Sequence, residues 1–356
     1  MSSTWGEKVK ISVFGESHGN GIGVVVDGLP AGFKVDNDKL LAQMKRRAPG
    51  NDKTATPRKE SDLPNVLSGM LNNTTTGAPL CAVINNTNTR SGDYSNLLAC
   101  PRPGHSDYTA FEKYNGFNDI RGGGHFSGRL TAPLVFAGNI CRQILEEKGI
   151  KISAHIAQIG NVKDESFNPV NIEPELMDRL SNSTFSLIDT TKEDEMRAEV
   201  EKARLDLDSI GGVIECAVTG LPAGIGGPMF GGVEGYISSI IFGIPAIKGV
   251  EFGKGFELAS MLGSQSNDPF EYADGKVVTK TNNCGGILGG ITNAMPVIFR
   301  ACVKPTPSIS KEQDTVDLQN NCNAKLSVNG RHDPCIVPRA VPVVEACTAI
   351  AIMNLL

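Results

Sequence analysis

The sequence predicts an α+β fold, on three observations. Apolar strand-like runs interleave with amphipathic helical runs, and several strands follow one another through short turns, as antiparallel sheets require. The segment Gly28-Leu29-Pro30-Ala31-Gly32 recurs as Gly220-Leu221-Pro222-Ala223-Gly224, each copy closely following an apolar strand. That repeat points to a duplication in which two similar halves share a central layer. No low-complexity linker divides the 356 residues, so the chain reads as one domain, 1–356.

The elements follow in order. Residues 9–14 and 22–26 are strands by composition and brevity. Asp36 or Asn37 can cap a helix over 39–46 that carries Leu40, Leu41 and Met44 on one face. A basic loop follows to Lys59. Residues 131–148 form a helix, with Pro133 in its first turn and Gly149 ending it. Residues 150–159 alternate as a strand. Over 192–207, Met196, Val200, Ala203 and Leu207 recur at helical spacing. A strand over 213–218 and a C-terminal helix over 342–356 complete the reading.

Composition narrows the function. With 40% hydrophobic and 21% charged residues the chain is ordered, and its net charge of −5 weighs against a general nucleic-acid binder. Nine cysteines are scattered without a Cys-x-x-Cys pair, which fits reduced thiols of a cytoplasmic protein and neither a disulfide framework nor a zinc site. The N-terminal residues lack the continuous apolar run of a signal peptide. The most apolar stretch, 236–247, is broken by Gly243 and Pro245 and is too short to span a bilayer. Of 40 glycines many fall in runs, Gly122-Gly123-Gly124 among them, as in a site built from several loops that approach a ligand closely.

The residues that can do chemistry are few. His18, in Gly15-Glu16-Ser17-His18-Gly19, and His105, in Arg102-Pro103-Gly104-His105-Ser106-Asp107, are polar groups packed among glycines and turn residues. Nothing in a core calls for them there, and imidazole is the usual proton carrier near neutral pH. His155, in an alternating strand, reads instead as a surface or satisfied core residue. Residues 45–59 carry six basic side chains against one acid, with no aromatic interleaved for base stacking. Arg102, Arg121, Arg129, Arg331 and Arg339 stand in other loop-like places, and guanidinium forks grip carboxylates and phosphates. Lys304-Pro305-Thr306-Pro307-Ser308 offers a cation and two hydroxyls on a stiff loop. Dinucleotide, P-loop, zinc and α/β-hydrolase signatures are absent. The residues therefore point to an enzyme or binder for a small polyanion.

Beyond this, the chain resembles the chorismate synthases from end to end. The matching segments include FGESHGNGIGVVVDGLPAG (14–32), RRAPG (46–50), RPGHSDYT (102–109), DIRGGGHFSGRLTAP (119–133), DSIGGVIECAVTGLPAG (208–224), NNCGGILGGI (282–291), KPTPSI (304–309) and GRHDPCIVPRAVPVVEA (330–346), in the family's order. The resemblance implies a helical layer between two antiparallel sheets with a pseudo-two-fold repeat. It implies 1,4-anti elimination of phosphate from 5-enolpyruvylshikimate 3-phosphate, with reduced FMN lending an electron transiently. By the same resemblance His18 protonates the departing phosphate, His105 serves the reduced flavin, and Asp333 acts with the flavin N5 on the ring proton, with Ser17 beside them. Arg47, Lys53, Arg129 and Arg331 match substrate-gripping positions. His125, Phe126, Ser127, Pro245, Ala246, Gly289, Lys304, Pro305, Thr306, Pro307, Ser308 and Arg331 match positions that hold FMN. The chain departs from the family at His125, Phe126 and Leu130, where Arg, Ser and Glu are frequent, at Pro245, where Asn is common, and at Lys53, where Arg is. The expected assembly is a homotetramer fed by an external flavin reductase. The alternative is an FMN-binding flavin reductase drawing on NADPH.

Overall fold

The computed structural model describes residues 3–50, 62–87, 97, 99–328 and 332–356. Its first half contributes strands β1 (Thr4–Trp5), β2 (Lys10–Gly15), β3 (Gly21–Asp27), β4 (Asn65–Ser68), β5 (Met70–Leu71), β6 (Thr74–Thr75) and β7 (Leu80–Asn85). With them come helices α1 (Asn37–Arg47), α2 (Asp107–Lys113) and α3 (Thr131–Glu147). The second half adds β8 (Lys151–Ile159), β9 (Val162–Lys163), β10 (Gly212–Thr219), β11 (Ile247–Phe252), β12 (Phe270–Ala273), β13 (Lys276–Thr279), β14 (Ile287–Leu288), β15 (Ile291–Thr292), β16 (Val297–Val303), β17 (Gln313–Asp317) and β18 (Cys322–Leu326). Its helices are α4 (Pro174–Asn182), α5 (Glu193–Leu205), α6 (Val233–Ile241), α7 (Gly263–Ser266) and α8 (Val337–Leu355).

Two five-stranded antiparallel sheets, ordered β1-β2-β3-β7-β4 and β9-β8-β10-β16-β11, enclose a helical layer. Helix α3 packs on β2, β3 and β7, α8 packs on β8 and β10, and the two helices pack on each other. Strand β7 shows why its sheet faces inward on one side: Leu80, Ala82 and Ile84 are buried while the residues between them are not, the period of a half-covered strand. In β8 residues 152–156 are buried without interruption, because α8 covers one face and α4 and α5 the other.

The repeat is structural. Strand β3 is central in the first sheet and β10 in the second, and each ends in a Gly-Leu-Pro-Ala-Gly turn. Thr75 Oγ1 donates to the Pro30 carbonyl at 2.6 Å and accepts from Phe33 N at 3.0 Å. In the other half Thr292 Oγ1 donates to the Pro222 carbonyl at 2.6 Å and accepts from Ile225 N at 3.0 Å. Gly28 (φ 87°) and Gly220 (φ 82°) open the two turns, and a Cβ on either would run into the carbonyl of Lys8 or Gly149. The same turn thus recurs for the same steric reason.

Asp36 caps α1, accepting from the amides of Asp38 and Lys39. The C-terminal helix starts earlier than the expected 342: Pro338 occupies its first turn, and α8 runs on through Pro342. A proline suits a first turn because it lacks only a donor that would be orphaned there. By length and composition α8 could cross a membrane, but 89% of its apolar window is buried between the sheets. The structure therefore makes it the core helix.

Two clusters of buried ionic groups flank β8. Glu345 of α8, 1% exposed, accepts from Arg46 Nη1 at 2.6 Å and from the Ala154 amide at 2.9 Å, with Arg142 Nη1 3.4 Å away. His155, fully buried, is a satisfied core residue: Nδ1 lies 2.9 Å from Asp164 and Nε2 3.0 Å from Glu215. Carboxylates only accept, so both ring nitrogens must carry protons to satisfy both contacts. Burial alone would lower the ring's pKa; the bonds to Asp164 and Glu215 outweigh it and raise the value. A pKa raised on folding contributes stability that is complete below the unfolded value of about 6.5 and is lost as pH rises through the folded value. Urea unfolding of wild type and His155→Asn between pH 6 and 9 should therefore show a stability difference that shrinks with rising pH. A difference constant across that range would mean a neutral ring.

Candidate active site

The cavity of about 800 Å³ opens where the N-terminal turns of α3 and α8 meet the last turn of α1, so the positive ends of two long helices face it. Ser17 and His18 lie on the turn between β2 and β3, 1% and 8% exposed. That turn is fixed from two sides. The Ser17 amide donates to the Gly124 carbonyl at 3.0 Å, and Asn86 Nδ2 donates to the carbonyls of Glu16 and Gly19, each at 2.9 Å.

The glycine run brings the two predicted histidines together. A Cβ on Gly122 would stand 2.7 Å from His18 Nε2 and 2.9 Å from Ser17 Oγ; one on Gly123 would stand 3.2 Å from His105 Nε2. Both glycines have positive φ, 61° and 83°, which L side chains rarely adopt. His18 and His105 therefore flank one bare strip of backbone.

His105 enters just before α2. Its Nδ1 is 2.6 Å from Asp107 Oδ1 and 3.1 Å from Arg102 Nη2. Arginine can only donate and the carboxylate can only accept, so the shorter contact makes Nδ1 a donor to Asp107. In the neutral ring Nε2 is then the lone-pair nitrogen, against Gly123. Burial lowers the His105 pKa, the bond to Asp107 opposes it, and Arg102 and Lys304 lower it further. Asp107 also accepts from Arg102 N at 3.0 Å and Nε at 2.7 Å; burial would raise its pKa, but these bonds hold it well below the usual carboxylate range.

The cationic wall comes from three elements. Arg47 ends α1: its Nε donates to Thr131 Oγ1 at 3.0 Å, Nη2 to the Gly128 carbonyl at 2.8 Å and Nη1 to Asp62 Oδ2 at 2.7 Å. Burial brings its pKa down to about 10; Asp62 opposes this, and Arg339 and Arg129 add to it. Arg129 pairs with the other oxygen of Asp62, and its Nε donates to Asn86 Oδ1 at 3.1 Å. Ser127, beside it, accepts from the Arg129 amide at 3.3 Å. Asp333, just before α8, is held by Arg339, whose Nε also donates to the Arg47 carbonyl at 3.0 Å.

The predicted cofactor residues divide. Lys304, Thr306, Pro307 and Ser308 line the cavity, with Pro305 between them; Lys304 Nζ donates to the Gly104 carbonyl at 2.8 Å and Arg102 Nη1 to Ser308 Oγ at 3.0 Å. Pro245 and Ala246 line it opposite. Phe126, 37% exposed, is tilted against Tyr114 at 6.4 Å. His125 Nδ1 donates to the Gly15 carbonyl at 2.8 Å, leaving Nε2 to accept from Ser3 Oγ at 2.8 Å. Gly289 is not brought to the cavity. It tips the β14–β15 hairpin, the counterpart of β5–β6, where two residues of positive φ are needed to turn the chain. Lys53 and Arg331 lie outside the described residues. Among the described residues no His, Cys, Asp and Glu cluster could hold a metal ion.

Sequence reasoning does not reach Asp62, Asn86 or Thr131, which are distant in the chain from the groups they hold. Asp107 carried a signal, two residues from His105 in the same run. Its role gives a test: in Asp107→Asn the His105 ring should titrate lower than in wild type, because the group opposing burial is gone. NMR of the ring carbons measures this, and an unchanged midpoint would remove Asp107 as the orienting group.

Comparisons with known proteins agree with the geometry. Residues 9–356 match the chorismate synthase family model. The chorismate synthase of Dehalococcoides mccartyi is 45% identical over 355 residues, covering 100% of this chain and 96% of that protein. That of Thermococcus kodakarensis is 46% identical over 349 residues, covering 98% and 96%. A crystal structure of chorismate synthase matches with a TM-score of 0.76 at 27% identity, over 99% of this chain and 92% of that one. These matches do not favour the flavin-reductase alternative. The family implies a small-molecule substrate and a flavin. The likeness spans nearly the whole length in both sequence and fold, and the chain belongs to the chorismate synthase family.

Proposed function

We propose that this cavity carries out the 1,4-anti elimination of phosphate from 5-enolpyruvylshikimate 3-phosphate, giving chorismate, with reduced FMN bound beside the substrate. The observation that carries this reading is the placement of His18 and His105 against the adjacent glycines Gly122 and Gly123, beside a cavity lined by Ser17, His105 and Gly122 together with Arg47, Arg102, Arg129, Lys304 and Arg339.

The cavity fits a flavin by its donor set. Phe126, Ile244, Ala246 and Ile336 offer apolar surface for a planar ring, while Lys304, Thr306, Ser308 and Arg102 offer cations and hydroxyls for a phosphate. About 800 Å³ is within the usual size range of small-molecule sites. When bound, reduced FMN would supply an electron that is lent and then recovered, which leaves no net redox change.

The protein's part is proton handling and charge stabilisation. The bond that breaks joins a ring carbon to the phosphate oxygen, and the leaving dianion needs a proton donor and fixed positive charge. His18, beside Ser17, supplies the proton. Arg47 and Arg129, with Lys53 and Arg331, hold the substrate's phosphate and carboxylates. His105 presents Nε2 as the nitrogen that exchanges a proton on the flavin side, its other nitrogen tied to Asp107. Asp333, paired with Arg339, would act with the flavin N5 in removing the ring proton. His125, Phe126, Ser127, Pro245, Ala246 and residues 304–308 would hold FMN.

The assembly we infer is a cytoplasmic homotetramer that takes reduced flavin from a separate reductase. Large apolar side chains left open in the second half support association: Met229 is 85% exposed, Phe230 96%, Phe256 86% and Tyr272 82%. Light scattering should give four chains per particle; a monomer at micromolar concentration would refute the assembly.

An anaerobic assay with 5-enolpyruvylshikimate 3-phosphate and chemically reduced FMN tests the reaction. Phosphate and chorismate should appear in equal amounts. Neither should form with oxidised FMN, nor with oxidised FMN and NADPH. His18→Ala should cut turnover by about 10- to 10⁴-fold, the range of a lost general acid. Full activity in that variant would take His18 out of the chemistry.

A further inference from the structure

We propose that Asp62 is a positioning residue for the substrate, holding the Arg47 and Arg129 forks side by side on the cavity wall. This inference rests on the reading that those two arginines grip the substrate.

Asp62 is 2% exposed and does not line the cavity, whereas Arg47 and Arg129 both do. It therefore sits behind the two guanidinium groups. One carboxylate oxygen accepts from each: Oδ2 from Arg47 Nη1 at 2.7 Å, Oδ1 from Arg129 Nη1. Two like charges at such range repel, and the shared carboxylate offsets that repulsion. Its bonds also fix how each guanidinium group is oriented. Further partners join the frame: Thr131 and the Gly128 carbonyl on Arg47, and Asn86 on Arg129. Asn86 in turn braces the His18 turn, so the same frame relates the arginines to the proton donor. Asp62 takes a left-handed backbone, φ 46°, that Asp adopts more readily than most residues.

The chemistry makes a sharp prediction for Asp62→Asn. An amide accepts through one oxygen only, so whichever way it is turned, one arginine faces an NH₂ donor instead of an acceptor. With the flavin saturating, KM for 5-enolpyruvylshikimate 3-phosphate should rise by about tenfold or more, the scale of a charged hydrogen bond, while kcat changes by less. Asp62→Glu keeps both oxygens and should recover part of the affinity. In an Arg47→Ala, Arg129→Ala background, adding Asp62→Asn should cost little more, since the residue would have nothing left to position.

The outcomes separate. If Arg47→Ala and Arg129→Ala leave KM unchanged, the substrate-binding reading of the arginines fails and the proposal with it. If those variants raise KM but Asp62→Asn does not, the proposal alone is overturned. A loss in Asp62→Asn confined to the melting temperature or to kcat also overturns it. Should Asp62→Asn not fold, Asp62→Ser decides, since it cannot accept from both arginines as a carboxylate does: a raised KM with near-normal kcat supports positioning, and an unchanged KM refutes it.

Discussion

The structure turns on Glu345. This side chain, on the core helix and almost fully buried, joins Arg46 of the first half to the Ala154 amide of the second, with Arg142 close by. Removing one partner of such a pair strands a charge in the core and costs about 3–5 kcal/mol, although replacing the whole group by apolar residues is often neutral. Its value is therefore chiefly geometric. Arg46 and Arg47 are consecutive in the last turn of α1, so the bond that locks Arg46 into the core presents Arg47 to the cavity. Arg339 closes the arrangement by donating to the Arg47 carbonyl while holding Asp333. Core and site share one ionic frame.

Around that frame the site solves an electrostatic problem. Several cations must converge for a polyanion, yet they must coexist before it arrives. Each is tied to a fixed anion or carbonyl: Arg47 and Arg129 to Asp62, Arg102 to Asp107, Arg339 to Asp333, and Lys304 to the Gly104 carbonyl. Low exposure makes these pairs stronger than they would be at the surface, and preorganised charge of this kind stabilises charge that moves in a transition state. The bare backbone at Gly122 and Gly123 lets two imidazoles approach within the same space. A side chain at Gly122 would collide with His18, and one at Gly123 would crowd His105.

Much of this was legible in the sequence because it is local. Asp36 as a helix cap, Gly149 as a helix end and the repeated Gly-Leu-Pro-Ala-Gly turn each follow from the backbone needs of a few neighbouring residues. His18 and His105 stood out because no core accounts for an imidazole between glycines. The basic run that begins at Lys45 was harder. Arg46 ended an expected helix and counted among the cations available to a ligand, but it is a core residue paired with Glu345, nearly three hundred positions away. Charge composition records how many cations a segment has, and not which carboxylate each one meets.

By itself the sequence determined the class of fold, the duplication, the family and the polyanion-directed chemistry, since these rest on short-range backbone rules and on motifs that lie intact along the chain. Only the tertiary structure decided the pairings: Asp62 with two arginines, Asp107 with His105, Glu345 with Arg46, and His155 with Asp164 and Glu215. It also decided that Gly289 turns a hairpin and does not line the cavity. The physical reason is common to all of them. A buried charge must find its partner wherever folding brings one within hydrogen-bonding distance, and that distance is fixed by sheet order and helix packing, which no local pattern encodes.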